Sequence, residues 1–243
     1  MKIPKELIKY LQKSTHIAIL TGAGISAESG LNTFREAQTG FWSQYRPEDL
    51  ATPQAFARDP KLVWDWYAMR RNKVAEASSN SGHFALVDME SRTPNFTLIT
   101  QNVDGYHVQA GSKNVLELHG NIQKVRCFDG CGIVDDWEDN SEVPHCPKCN
   151  AYLRPDVVWF GESLPLDALN AAHKATLECQ AFFSVGTSGL VQPAASLAHT
   201  ARQKGAIVIE INLDPTPLTP HVDFALHGKS GEILPALVKE TWG

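Results

Sequence analysis

An apolar run, His16-Ile17-Ala18-Ile19-Leu20, stops at Thr21-Gly22-Ala23-Gly24-Ile25-Ser26-Ala27. The run has the length and character of a buried strand. Gly22, Gly24 and Ala27 match the G-x-G-x-x-G/A spacing of a tight turn from strand into helix. Such a turn brings main-chain N–H groups close to a pyrophosphate. A glycine triplet alone is equally compatible with a ligand-free turn. The residues after it narrow the choice. An ordinary dinucleotide-binding turn leads into an amphipathic helix and a second strand carrying a ribose-binding acid. Here Ser26 to Arg35 are polar and small residues that end in Phe34-Arg35. The segment predicts a nucleotide site with chemistry beyond that of a simple dehydrogenase.

Further strand-like runs fall at 96–100, 181–185 and 206–212. Polar or glycine turns follow two of them, Gln101-Asn102 and Gly186-Thr187-Ser188-Gly189, and Asn212 closes the last. Ligands of open α/β sheets sit at the carboxyl ends of strands, so these turns are expected to converge on one crevice. The fold expected is α/β, a Rossmann-like doubly wound parallel sheet with a smaller zinc-ribbon and helical domain inserted. Residues 1–35, 82–123 and 153–243 are assigned to the nucleotide-binding domain, and 36–81 with 124–152 to the small one, packed across the crevice. Met1 to Tyr10 is expected as an amphipathic helix, Pro60 to Arg71 as helical, and Ser78 to Gly82 as a linker.

With 43% hydrophobic and 20% charged residues the chain has the balance of a soluble globular protein. Its net charge of -5 argues against binding nucleic acid through phosphate neutralisation and leaves room for a basic peptide. No apolar run approaches the roughly 20 residues of a membrane span, and the N-terminus lacks the features of a secretory signal. A cytoplasmic protein is expected.

Four of the five cysteines, Cys127, Cys131, Cys146 and Cys149, form C-x3-C and C-x2-C pairs. Two such knuckles supply four thiolates for a tetrahedral, structural zinc with no open position for a water. Two redox pairs or disulfides are the alternative, less suited to a reducing compartment. His145, beside Cys146, is a further donor, and Cys179 reads as a buried core thiol.

Thr100-Gln101-Asn102-Val103-Asp104-Gly105, Leu118-His119-Gly120 and Val158-Trp159-Phe160-Gly161-Glu162 join the opening GAGISAESG and Phe-Arg, the four cysteines and Gly186-Thr187-Ser188. Together, over nearly the whole chain, they resemble the sirtuins, NAD-dependent protein-lysine deacylases. The resemblance implies NAD and one structural zinc as cofactors, and acylated-lysine proteins or peptides as partners. It implies cleavage of the nicotinamide–ribose bond, attack of the acyl-lysine amide oxygen on the anomeric carbon, and transfer of the acyl group to ADP-ribose. Gly22, Ala23, Gly24, Glu28, Gly186, Thr187, Ser188 and Asn212 are then cofactor contacts, with Gln101 on the nicotinamide ribose and Asn102 and Asp104 lining the nicotinamide pocket. Phe34 would shield the ribose and Arg35 order a loop over it. Val158, Phe160, Gly161 and Glu162 would belong to a segment that pairs with the substrate peptide as an added strand. His119 is the candidate general base, because an imidazole can take a proton from a ribose hydroxyl near neutral pH.

Tyr67 and Arg70 match the Y-x-x-R pair of sirtuins that remove negatively charged acyl groups. A phenol and a guanidinium can hold the distal carboxylate of a succinyl or malonyl group. Equally, Trp64, Tyr67 and Arg71 share one helical face, which would leave Arg70 as a surface charge. Asn32 replaces a usual proline, and Glu36 adds a negative charge near the pocket, so deacetylation is expected beside or above removal of acidic groups. Two other readings stand beside deacylation. One is ADP-ribose transfer to protein or NAD hydrolysis at the same site. The other is a zinc-ribbon nucleic-acid module fused to a nucleotide fold.

Overall fold

The computed structural model describes residues 3–31, 43–138 and 142–243. Asn32, Phe34, Arg35 and Glu36 lie outside the described residues. Six parallel strands form the main sheet: β1 (His16–Thr21), β2 (Asn95–Thr100), β3 (Val115–Glu117), β7 (Ala181–Val185), β8 (Ile207–Asn212) and β9 (Phe224–His227). Their spatial order is β3-β2-β1-β7-β8-β9. The order reverses between β1 and β7, the switch point at which doubly wound sheets bind ligands.

Both faces of the sheet are covered, which explains why its strands are apolar runs without polar alternation. Ile17 and Ile19 of β1 point into one apolar layer, with α1 (Lys5–Leu11), α6 (Ser81–Arg92) and α10 (Ser230–Trp242). Ala18 and Leu20 point into the other, with α8 (Leu166–Glu178) and α9 (Ser196–Gln203). Strand periodicity alone therefore splits one short run between two cores. The expected linker at 78–82 ends in a helix cap instead. The Asn80 side chain accepts from the Gly82 amide, and His83 Nδ1 accepts from the Asn80 amide, at the start of α6.

The small module has its own core. The helices α3 (Pro47–Leu50), α4 (Pro53–Arg58) and α5 (Pro60–Glu76) pack against a three-stranded antiparallel sheet ordered β5-β4-β6. These strands are β4 (Gly120–Cys127), β5 (Ile133–Val134) and β6 (Leu153–Val157). Phe56, Trp64, Trp66, Val125, Leu153 and Trp159 are buried together there. Residues 120–121 pair with 156–157 and 125–127 with 153–155, so 120–123 and 153–157, assigned from the sequence to the nucleotide-binding domain, lie in the strands of this second sheet. The cysteine loop lies between the two strands, so its closure brings them side by side. The remaining helices are α2 (Ala23–Ala27) and α7 (Tyr106–Ala110), both at the carboxyl edge of the main sheet.

Candidate active site

The turns after β1 and β7 interlock through their backbones. The Gly22 amide donates to Val185 O at 3.0 Å and the Gly24 amide to Gly186 O at 2.8 Å. A Cβ on Gly24 would lie 2.6 Å from the Gly186 Cα. Gly186 has φ +59°, and a Cβ there would lie 2.5 Å from the Ile25 amide nitrogen. Glycine is thus demanded by close approach at Gly24 and by approach and conformation together at Gly186. Asn212, at the end of β8, extends this floor by donating from Nδ2 to Thr187 O at 2.9 Å. Gly24, Glu28, Gly186 and Asn212 border one cavity of about 400 Å³. The Glu28 carboxylate is itself engaged, accepting from Ser230 Oγ and the Gly231 amide at the start of α10.

A second cavity, about 420 Å³, lies under the small module. Gln101, Asn102, Asp104, His119, Tyr67 and Arg70 all line it, as do Val158, Phe160, Gly161 and Glu162. Ser26 organises the loop after β2. Its hydroxyl donates to Asp104 Oδ2 at 2.8 Å and accepts from Asn102 Nδ2 at 3.0 Å. Asn102 Nδ2 also donates to Gly22 O, which ties the loop to the glycine turn. The Tyr106 amide donates to Asp104 Oδ1. Burial pushes the Asp104 carboxyl above the usual range, against the pull of those two donors. Ser26 received no role in the sequence reading, because only the fold brings it opposite residues more than 70 positions away. Gln101 Nε2 is buried and has no hydrogen-bond partner among the described residues, so a donor stands ready for a polar ligand.

His119 leaves the end of β3 with Nδ1 2.9 Å from Gln101 O. A carbonyl can only accept, so Nδ1 carries the proton and Nε2 keeps a lone pair. Burial holds the imidazole pKa below its ordinary value, partly offset by the Gln101 hydrogen bond, which favours the neutral base at neutral pH. A second imidazole, His107, lies deeper and bonds through Nε2 to Thr21 Oγ1 at 2.9 Å. It is buried against His83, with ring centroids 4.8 Å apart, and does not line the larger cavity.

The opposite wall comes from α5 and the segment after β6. Tyr67 and Arg70 both reach the cavity, so Arg70 is not a solvent-facing surface charge. The neighbouring Arg71 packs on two indole rings instead, its guanidinium 4.5 Å from the Trp64 ring centroid and 5.2 Å from that of Trp137. Burial pushes the Tyr67 phenol up to about 12 and lowers the Arg70 pKa from its usual value. Glu162 does more than line the wall: its carboxylate pairs with Arg154 and accepts from the Trp159 amide. The Val158 amide donates to His119 O, and the Phe160 amide to Ala51 O, each at 2.9 Å. These two bonds hold the expected peptide-pairing segment between the turn after β3 and the small module.

The sulfurs of Cys127, Cys131, Cys146 and Cys149 all lie within 4.8 Å of one another. Those of Cys127 and Cys149 are 3.5 Å apart. Tetrahedral zinc with bonds of about 2.3 Å sets its sulfurs about 3.8 Å apart, so the donor set fits that ion. None of the four is in a disulfide. Cys127 and Cys146 are buried in the small-module core, which places the metal site as a brace. Cys179 is a buried core thiol donating to Thr176 O.

A parallel sheet with a glycine switch point, a four-cysteine cluster and cavities at its carboxyl edge is the arrangement of a nucleotide-binding protein of the doubly wound class. The Sir2 family pattern matches residues 22–193, and the chain belongs to that family. It is 49% identical over 243 residues to an NAD-dependent protein deacylase of Pyrococcus furiosus, covering 97% of this chain and 96% of the relative. A solved Sir2 homolog–NAD complex superposes with TM-score 0.92 at 46% identity, covering 99% of this chain and 94% of that one. A Sir2 protein bound to a myristoylated histone peptide superposes with TM-score 0.79 at 36% identity, covering 97% and 94%.

Proposed function

We propose that this chain uses NAD and one water to remove acyl groups from protein lysines, yielding nicotinamide, O-acyl-ADP-ribose and free lysine. We propose further that its acyl range includes succinyl- and malonyl-lysine as well as acetyl-lysine. The observation that carries the first part is His119, whose proton-bearing Nδ1 is spent on Gln101 O while Nε2 stays basic beside Asn102 and Asp104. NAD, when bound, supplies a ribose whose nicotinamide can leave and whose hydroxyl can accept the acyl group. The chain's residues do the rest. The glycine floor and the Thr187–Asn212 clamp hold the phosphates and adenosine ribose, Gln101 offers its unpartnered Nε2 to the other ribose, and Asn102 and Asp104 hold the departing amide. His119 takes the hydroxyl proton. A bare NAD hydrolase has no need of that base or of the segment from Val158 to Glu162.

The second part rests on Tyr67 and Arg70 facing the same cavity as His119. A guanidinium and a phenol whose pKa burial pushes up to about 12 can each donate a hydrogen bond to a distal carboxylate. Acylated-lysine proteins are the proposed partners. The charge of -5 weighs against nucleic acid, and no described helix is long and apolar enough to cross a membrane. A cytoplasmic location suits the four thiolates of the zinc site.

The test supplies acetyl-, succinyl- and malonyl-lysine forms of one peptide with NAD and measures nicotinamide and O-acyl-ADP-ribose together. Equal amounts of both products are expected, and nicotinamide without acylated product would replace deacylation by NAD hydrolysis or ADP-ribose transfer. Arg70→Met is expected to lower kcat/KM for the succinyl peptide by about tenfold or more relative to the acetyl peptide. Unchanged succinyl removal would refute the charged-acyl part alone.

A further inference from the structure

Trp159 lies in the segment that follows β6. In the fold its indole Nε1 lies 3.0 Å from the Tyr67 hydroxyl, both groups buried and 92 positions apart in sequence. An indole nitrogen can only donate, so the Tyr67 oxygen must accept at that contact. The phenol's single proton is thereby turned away from Trp159, and no described residue accepts it. Tyr67 lines the cavity, so the available direction for that proton is toward the ligand.

The indole is held on several sides. The Arg154 guanidinium lies 3.3 Å from its ring centroid, and Phe56 packs against it with centroids 5.4 Å apart. Arg154 is fixed in turn by Glu162 Oε2 at 2.9 Å and by Val157 O. The Trp159 backbone is pinned by its amide to Glu162. The N–H therefore keeps one direction.

We propose that Trp159 is a specificity-determining positioning residue, whose indole N–H fixes the Tyr67 hydroxyl as a donor toward the distal carboxylate of an acidic acyl group. This inference rests on the charged-acyl reading above. A phenol free to rotate would present a lone pair as readily as its proton, and a lone pair repels a carboxylate. The lock removes that orientation. An acetyl group has no carboxylate for the oriented proton to meet, so the lock discriminates between acyl classes.

The test uses the full chain with NAD and matched succinyl and acetyl peptides. Two substitutions are made at position 159. Trp159→Phe removes the donor, and 3-benzothienylalanine keeps the bicyclic shape but replaces the N–H by sulfur, so a packing defect is separated from loss of the donor. Thermal melting establishes folding, and the isostere decides the outcome where the Phe variant does not fold. The succinyl-to-acetyl ratio of kcat/KM is expected to fall about five- to tenfold, mainly through the succinyl KM. Adding the isostere to Tyr67→Phe should produce no further fall, because the indole N–H acts only through the hydroxyl that Tyr67→Phe removes. An unchanged ratio in the isostere, with Arg70→Met still lowering it, overturns this inference and leaves the charged-acyl reading standing, as does full additivity with Tyr67→Phe. A wild-type enzyme with no Arg70-dependent succinyl removal overturns both.

Discussion

The two walls of the cleft are built from different materials. The floor, at the ends of β1 and β7, is backbone against backbone: Gly22, Gly24 and Gly186 approach so closely that no side chain fits between them. The opposite wall is side chain against side chain: Tyr67 on Trp159, Trp159 under Arg154, Arg154 on Glu162. A backbone floor can bind a group common to all dinucleotides and tolerates little change. A side-chain wall can be retuned one residue at a time, which suits the part of the site that meets variable acyl groups. His119 stands at the seam, bonded through its ring to the floor loop at Gln101 and through its carbonyl to Val158 of the wall.

The sharpest way to break this arrangement is at the seam. His119→Ala is expected to reduce deacylation of every acyl peptide by about 10³-fold, the range of a lost general base. The pH profile gives an independent check. Burial lowers the pKa of this imidazole, and a general base works in its neutral form. The rate should therefore rise with pH through a value below the ordinary 6.5 and stay flat above it. A limb centred at or above 6.5, or one that survives in His119→Ala, would remove His119 from the role of base.

Breaking the floor should cost stability as well as cofactor affinity. In Gly24→Val, the new Cβ would fall 2.6 Å from the Gly186 Cα, and backbone cannot rotate aside as a side chain can. A loss of about 3 kcal/mol in denaturant unfolding is expected, with NAD binding lost in the folded fraction. A variant that melts like the wild type would mean that the two turns can separate without penalty, contrary to an interlocked floor.

The same contrast explains what was legible in the sequence. β1, β2, β7 and β8 are apolar runs ending in glycine or polar turns, a local pattern, and they fall where expected. The glycine spacing and the cysteine knuckles are equally local. The three residues of β3 and four of β9 are too short for any period to register. The pairing of β4 with β6 depends on closing the cysteine loop between them, and no pattern within either strand encodes a partner that far away. Tyr67 and Arg70 were visible as a pair only because Y-x-x-R matches a motif of the resembling family, since helical spacing by itself also allowed Arg70 as a surface charge. Trp159 and Ser26 were not, since their importance lies in contacts that exist only after the chain has folded.

The last test separates the two faces of a single helix. On α5, Lys61 pairs with Asp65 at 2.5 Å, one turn before Tyr67, with the two side chains 48% and 43% exposed. The short distance suggests a strong interaction, but exposure decides its worth. Water screens both charges, and ordering two flexible side chains costs entropy comparable to the gain. Lys61→Ala is therefore expected to change stability by about 0.3–0.5 kcal/mol. The succinyl-to-acetyl ratio should stay within about twofold of wild type, because neither residue lines the cavity that Tyr67 and Arg70 face. If that ratio instead fell as far as in Arg70→Met, the position of α5 as a whole would set the acyl preference. The wall would then act as a rigid body, as the floor does, and the contrast between the two would disappear.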